Sequence, residues 1–167
     1  MKQLFQLQGM RPRFRHVGYT VKDIRSAAET LSHVFPMADA WKFCVCTMPA
    51  TESSDGKTAH LIIGLSRVNG TDIELIQAMP DTPDCYHAQL PDWSMHCSFV
   101  FHAQDYDVYA DYLTEHGFHV EWGANQSKNG EKCFYFAPKD GGPVLEFNNL
   151  FPEDPAYASL DEALQHL

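Results

Sequence analysis

The feature that most constrains this chain is an order of secondary-structure signals that occurs twice. Residues 14–21 alternate as a strand does, residues 23–35 have the spacing of an amphipathic helix, and strand-like segments follow at 41–48, 58–68 and 71–78. Asn69-Gly70 is a strong signal for a hairpin turn between the last two segments. The order of strand, helix and three strands then returns between residues 95 and 148. A repeat longer than a solenoid's indicates a duplicated module. The predicted fold is therefore α+β, with two tandem βαβββ modules.

The two copies align residue by residue at their first and last strands. RHVGY at 15–19 aligns with MHCSF at 95–99, and GTDIELI at 70–76 aligns with GPVLEFN at 142–148. His16 then corresponds to His96, and Glu74 corresponds to Glu146. Each of these residues taken singly has an ordinary structural interpretation, but four of them repeated in register favour a site.

Strand periodicity predicts that these four side chains lie on one face of the sheet. Successive strand residues point to opposite faces, and Val17 and Tyr19 belong to the apolar face that packs on a helix. His16 therefore lies on the other face, and the same argument applies to His96, Glu74 and Glu146. A glutamate between large apolar residues is costly to bury unless it is paired, solvated or bound to metal. Imidazole and carboxylate ligands suit divalent zinc, nickel, cobalt, manganese or iron.

Length and composition predict a single domain. The chain has 167 residues, of which 44% are hydrophobic, enough for one ordinary core. The first module spans about residues 14–78 and the second about 94–149, with a Pro-rich linker at 79–93 and a tail at 150–167. The five cysteines cannot all pair and are expected to be reduced. No apolar run is long enough to cross a bilayer and no signal peptide is evident, so we expect a cytoplasmic protein.

The charge distribution bears on possible partners. The net charge is −10, and no Lys or Arg occurs between Val68 and Ser127, which argues against general binding of nucleic acid or anionic membranes. Half of the basic residues lie before residue 26, including Arg11, Arg13 and Arg15. This cluster is either a solvated polar face or a local anion site. A small-molecule substrate is the expected partner.

These segments resemble the vicinal-oxygen-chelate superfamily, which includes glyoxalase I, methylmalonyl-CoA epimerase, extradiol dioxygenases and bleomycin-resistance proteins. FRHVGYTVKDIRSAAETL, from residue 14, is similar to the family's opening strand and helix, and DIELIQ at 72–77 most resembles the epimerase-like branch. The resemblance implies curved mixed sheets that enclose a metal-binding cavity. It also implies that His16, His96 and Glu146 bind the metal, with Glu74 at a fourth position that is a ligand in glyoxalases. His96-Cys97 departs from the His-His pair common in epimerases of this branch.

The resemblance implies a lyase, isomerase or epimerase that transfers a proton beside a metal-chelated carbonyl. Glu74 and Glu146 would share the roles of ligand and base, and apolar walls are expected to raise the pKa of the base. We expect the substrate cavity to be lined by Asn148, Tyr135 and His60. The family often pairs modules across chains, which favours a homodimer, although this chain has both halves of a site and a monomer stays open.

Two other functions remain open. Two histidines and one carboxylate form the facial triad of non-haem iron oxygenases, and Tyr135 precedes Glu146 at about the spacing found in extradiol dioxygenases. The other alternative is a non-catalytic binder of the bleomycin-resistance type, although those relatives generally lack metal ligands. Metal identity is expected to discriminate among the three functions.

Overall fold

The first module has the predicted order of elements. The computed structural model describes residues 12–53, 55–87, 94–101, 105–126, 131–149 and 157–167. The elements of the first module are β1 (Arg13–Thr20), α1 (Ile24–Val34), β2 (Lys42–Met48), the short β3 (Glu52–Ser53), β4 (Ala59–Val68) and β5 (Thr71–Ala78). Asp23 caps α1, because its side chain accepts a hydrogen bond of 2.8 Å from the backbone N–H of Ser26.

The second module repeats the order of strand, helix and three longer strands. Its elements are β6 (Ser94–Val100), α2 (Tyr106–Glu115), β7 (Phe118–Gln126), β8 (Glu131–Pro138) and β9 (Val144–Asn148). The α+β fold predicted from the sequence is confirmed. The Asn69-Gly70 turn between β4 and β5 has φ angles of 49° and 81°, as the predicted tight hairpin requires.

The strands form one mixed sheet with the two modules joined at its centre. The strand order is β2-β4-β5-β1-β6-β9-β8-β7-β3. The first strands of the two modules, β1 and β6, pair antiparallel, while each pairs in parallel with the last strand of its own module. The central strands β5, β1, β6 and β9 are therefore direct neighbours.

The sheet curls into a half-barrel whose two edges approach each other. The short strand β3 follows β2 in the chain, yet it pairs with β7 at the opposite edge of the sheet, where Glu52 lies opposite Gly123. β3 could not be predicted from the sequence, because two residues are too few to show a strand period. The pairing links the edges of the two modules.

The apolar side chains of the described residues form two cores on the convex face of the sheet and one on its concave face. α1 packs on the convex face of the first module around Ile24, Ile62 and Leu75, which belong to the α1 core. α2 packs on the convex face of the second module around Tyr109, Phe136 and Phe147, which belong to the α2 core. The concave core includes Leu61, Ile76, Trp122, Tyr135 and Val144. It also contains Tyr86, from the single-turn 3-10 helix Asp84–Tyr86 of the linker.

The tail contributes to the first convex core. A short helix, α3 (Leu160–Ala163), buries Leu160 and Ala163 against the α1 core, and Tyr157 forms a backbone bridge with Phe43 of β2. In the described residues, the helices are too short or too polar to cross a membrane.

Candidate metal centre

Each of the four central strands contributes one side chain to a buried cluster on the concave face. The cluster consists of His16 from β1, Glu74 from β5, His96 from β6 and Glu146 from β9. One donor atom from each side chain lies within 4.8 Å of every other. The structure thus brings together all four residues that the repeat alignment singled out.

Strand register explains this convergence. Gly18 of β1 lies between Glu74 and His96 in one lateral row, and Ser98 of β6 lies between His16 and Glu146 in the next. Gly18 and Ser98 occupy equivalent positions, two residues after the histidine of their module. A Cβ atom on Gly18 would lie 1.9 Å from Cε1 of His96, so the imidazole occupies the space that only glycine leaves open.

The donor atoms alternate in charge and lie close together. Nε2 of His16 is 3.1 Å from Oε2 of Glu74 and 3.2 Å from Oε2 of Glu146. Nε2 of His96 is 3.2 Å and 3.4 Å from the same two oxygens. All four side chains are buried, with 3–8% of each residue exposed. In the described part of the chain, these four atoms make no hydrogen bond of acceptable geometry.

Four buried polar atoms that share one point and lack hydrogen bonds fit a bound cation. Burying a polar atom without a hydrogen bond costs about 1–3 kcal/mol, so a cluster of four such atoms favours either shared protons or a bound ion. Ligand atoms around an ion with bonds of about 2.0–2.2 Å stand roughly 2.8–3.6 Å from their neighbours. The four separations between a histidine nitrogen and a carboxylate oxygen, 3.1–3.4 Å, fall in this range. Two imidazoles and two carboxylates are donors that first-row divalent metals accept.

The two negative carboxylates of the cluster can be neutralised either by protons on both imidazoles or by one divalent ion. Without an ion, burial lowers the pKa of His16, but the two carboxylates outweigh it and raise the pKa to about 10. The same balance raises the pKa of His96 to about 9. Burial raises the pKa of Glu74, yet the imidazoles lower it to about 2, and they hold the pKa of Glu146 well below its usual range. A divalent cation would replace the two protons with equal charge.

The expected elevation of a carboxylate pKa is therefore wrong for the ion-free protein. Apolar walls do surround the cluster, and burial does favour the neutral acid. The two imidazoles lie within 3.4 Å of each carboxylate, however, and their positive charge has the larger effect. The sequence pattern showed the apolar flanks of Glu74 but not this distance.

Among the residues that the structure describes, hydrogen bonds hold only one of the two carboxylates in place. Oε1 of Glu146 accepts a hydrogen bond of 2.7 Å from Nδ2 of Asn148 and one of 3.5 Å from the buried thiol of Cys133. Asn148 is held in turn by two hydrogen bonds. Its Nδ2 donates one of 3.2 Å to Oγ of Ser98, and its Oδ1 accepts one of 2.8 Å from Nη1 of Arg15. Asn148 was predicted at the site, and it contacts the carboxylate. Within the described residues, the Oε1 atom of Glu74 receives no such hydrogen bond.

Arg15 reaches the concave side through a β-bulge that the sequence did not reveal. Phe14 pairs with Phe99 and His16 with Ser98, so Arg15 is an extra residue in β1. A bulge re-aims the side chain of the extra residue, and strict alternation would have placed Arg15 and His16 on opposite faces. Both line the same cavity instead.

The other predicted lining residues differ in their placement. The ring of Tyr135 packs edge-on against His96, with 5.6 Å between ring centroids, so Tyr135 lies beside the cluster. His60 does not, which corrects the expectation that it lines the cavity. It shares a strand face with Ile62, which packs in the α1 core, and its Nδ1 lies 3.3 Å from Oγ1 of Thr47.

A cavity of about 540 Å³ adjoins the cluster at His16. This volume is in the range of small-molecule sites. Its walls combine charged and aromatic side chains, among them Arg15, Trp41, Lys42, Arg67, Asp39 and Asp72. A much smaller cavity of about 20 Å³ lies against His96 and Tyr135 on the other side.

The fold has counterparts among solved structures, whereas the sequence matches no protein-family model and no curated protein. Methylmalonyl-CoA epimerase from Mycobacterium tuberculosis superposes with a TM-score of 0.52 at 18% identity, over 84% of this chain and 89% of that chain. A hypothetical protein from Bacillus halodurans superposes with a TM-score of 0.51 at 12% identity, over 85% and 96%. This chain has the vicinal-oxygen-chelate fold that its sequence resembles.

Proposed function

We propose that this protein is a metal-dependent isomerase, epimerase or lyase that transfers a proton on the carbon beside a chelated carbonyl. His16, His96 and Glu146 would hold a divalent ion of zinc, nickel, cobalt, manganese or iron, and Glu74 would serve as fourth ligand and base. The observation that supports this most directly is the set of four buried donor atoms that make no hydrogen bond in the described part of the chain. Each histidine nitrogen of this set lies 3.1–3.4 Å from both carboxylate oxygens.

The bound ion would act as a Lewis acid that stabilises negative charge on a substrate oxygen. The work of the protein begins with orientation. Asn148 and Cys133 engage Oε1 of Glu146, so its Oε2 is the oxygen directed at the two histidines. Outer contacts of this kind orient ligands and tune metal affinity.

Glu74 is the better placed carboxylate for moving a proton. Its Oε2 faces the histidines, while its Oε1 receives no hydrogen bond from the described residues. The Glu74 side chain is also the more exposed of the two, at 11% against 7% for Glu146. A carboxylate with an oxygen that is free to accept a proton, and with access to a ligand, meets the geometric demand on a general base.

The test compares wild type with Glu74→Gln in solvent deuterium exchange. Candidate 2-oxo acids, hemithioacetals and CoA thioesters are incubated in deuterium oxide with the metal-loaded protein, and label at the carbon beside the carbonyl is measured by NMR. We expect a loss of at least about 100-fold in Glu74→Gln, the scale of general acid–base catalysis. Glu115→Gln, at an exposed position on α2, is the matched control and should exchange like wild type.

Metal content is measured in the same samples, because it separates the two roles of Glu74. Retained metal with lost exchange supports the role of base, whereas full exchange in Glu74→Gln would refute it. Loss of both would assign Glu74 mainly to metal binding.

One observation favours an extradiol-type oxygenase as a second candidate. Tyr135 lies against the ligand His96, and burial raises the pKa of its phenol well above the ordinary value, which keeps it protonated and able to donate. In an oxygenase the triad of His16, His96 and Glu146 suffices. Glu74→Gln would then leave oxygen-dependent loss of a catechol largely intact in the iron-loaded protein.

A further inference from the structure

The cavity beside His16 has the character of an anion site within an acidic protein. Arg15, Lys42 and Arg67 line it together with Asp39 and Asp72. Arg67 is paired with Asp72 through a hydrogen bond of 2.6 Å from Nε to Oδ1. Among the described residues, the charged lining has three cations and two anions, although the chain as a whole has a net charge of −10.

The guanidinium of Arg15 is oriented by the hydrogen bonds that hold Glu146. Its Nη1 donates a hydrogen bond of 2.8 Å to Oδ1 of Asn148, and Nδ2 of Asn148 donates one of 2.7 Å to Oε1 of Glu146. Two hydrogen bonds therefore connect the cation to the carboxylate of the metal centre. A guanidinium has five N–H donors, and its fork matches a carboxylate in geometry. The bond to Asn148 anchors the group at Nη1.

The bulge in β1 brings the cation and the cluster into one cavity. Arg15 and His16 are adjacent in sequence and both line it. A molecule bound at the cluster that extends into the cavity past His16 would meet Arg15 on its way. Trp41 and Leu65 provide apolar wall along the same cavity.

We infer that the substrate bears a carboxylate remote from its chelating oxygens, and that Arg15 binds this carboxylate in the cavity with support from Lys42. The inference rests on the proposed function, in that one end of the substrate is held at the metal centre. It narrows the substrate class to dianionic molecules with an apolar segment between their two ends.

The experiment measures ligand binding to the cobalt(II)-loaded protein through the visible absorption of the metal. 2-Oxoglutarate and 2-oxopentanoate share a chelating 2-oxo acid and a five-carbon chain, and only the first has a distal carboxylate. 2-Oxoadipate and 2-oxohexanoate form a second pair with one more carbon. We expect wild type to bind at least one dicarboxylate tenfold or more tightly than its partner, the scale of a charge-assisted hydrogen bond.

Variants assign the preference to Arg15. Arg15→Gln should reduce it to less than threefold, while Arg13→Gln, which changes an exposed arginine of the same strand, should preserve it. Arg15→Lys retains the charge but not the fork and should keep only part of the preference. The wild-type comparison stands by itself if Arg15→Gln fails to fold.

The possible failures are distinguishable. Wild type that binds cobalt but does not distinguish either pair overturns the inference and leaves the proposed function standing. An undiminished preference in Arg15→Gln places the carboxylate elsewhere and overturns it as well. Failure to bind cobalt at His16, His96 and Glu146 overturns the proposed function, and the inference with it.

Discussion

Replacing Gly18 by alanine should disable the metal centre without touching any of its ligands. Gly18 lies between Glu74 and His96 in the lateral row that crosses β5, β1 and β6. The added methyl group would lie 1.9 Å from Cε1, 2.1 Å from Nε2 and 2.7 Å from Nδ1 of His96. Ordinary contact begins near 3.4 Å, so the imidazole would have to shift by at least about 1.5 Å.

The shift should cost metal affinity far more than stability. Nε2 of His96 lies 3.2 Å and 3.4 Å from the two carboxylate oxygens, and a displacement of 1.5 Å is too large for a metal–ligand bond to absorb. Loss of an outer contact typically weakens metal binding 10–100-fold, so a displaced ligand should weaken it by at least about 100-fold. Overpacking a core by one methyl group costs about 1–3 kcal/mol in the free energy of unfolding.

The assay is competition of wild type and Gly18→Ala with a chelator for cobalt(II), together with thermal unfolding. Gly123→Ala is the matched control, because its methyl group would lie 2.2 Å from Cδ1 of Phe134 in the α2 core, away from the cluster. It should lose stability but keep its metal affinity. Wild-type metal affinity in Gly18→Ala would refute the placement of His96 over Gly18. In the double variant Gly18→Ala/His96→Ala, metal binding should be no weaker than in His96→Ala alone.

Three further predictions concern the ion, its pH dependence and assembly. The metal content of purified protein, measured by inductively coupled plasma mass spectrometry, should fall to near zero in His16→Ala and His96→Ala. It should stay at the wild-type level in the control His60→Ala, because the His60 ring lies away from the cluster. Unchanged metal content in the first two variants would contradict the proposed metal site. The raised pKa values of about 10 for His16 and 9 for His96 mean that both imidazoles are protonated at pH 7. Metal binding should therefore release two protons, and the metal affinity should increase about 100-fold per pH unit up to pH 9. Calorimetry in buffers of different ionisation enthalpy counts those protons, and a pH-independent metal affinity would contradict the prediction. Light scattering should report a homodimer, and a mass of one 18.9 kDa chain at micromolar concentration would show a monomer.

The repeat and the strand period were enough to predict the fold and the convergence of four residues. The direction of a strand side chain is a local property, since alternate residues point to opposite faces wherever the strand lies. Duplication then supplies the long-range information, because equivalent residues of two modules occupy equivalent places. His16 and His96, with Glu74 and Glu146, are accessible to this reasoning, and the helices and most strand positions follow from it too.

The strand period gave wrong side-chain directions at a β-bulge, and it was applied to one histidine without first identifying which face of the strand packs on the helix. Arg15 has the parity of Val17, and only the bulge against Ser98 shows that it reaches the concave side. His60 lies on the same face of β4 as Ile62, which packs in the α1 core. Strand alternation therefore predicts the convex face for His60 once the helix side of β4 is known.

What the sequence by itself determined about this protein is which side chains share a face; what only the tertiary structure decided is how far apart they lie and what surrounds them. Distances between strands depend on register, on curl and on pairings such as β3 with β7, which join residues far apart in the chain. The unequal hydrogen bonding of the two carboxylates is a consequence of that packing. Cys133 and Asn148 reach Glu146 from β8 and β9, and no alignment of the two repeats distinguishes it from Glu74. The physical reason is that alternation is set within a few residues, whereas a hydrogen-bond partner is selected by the whole sheet.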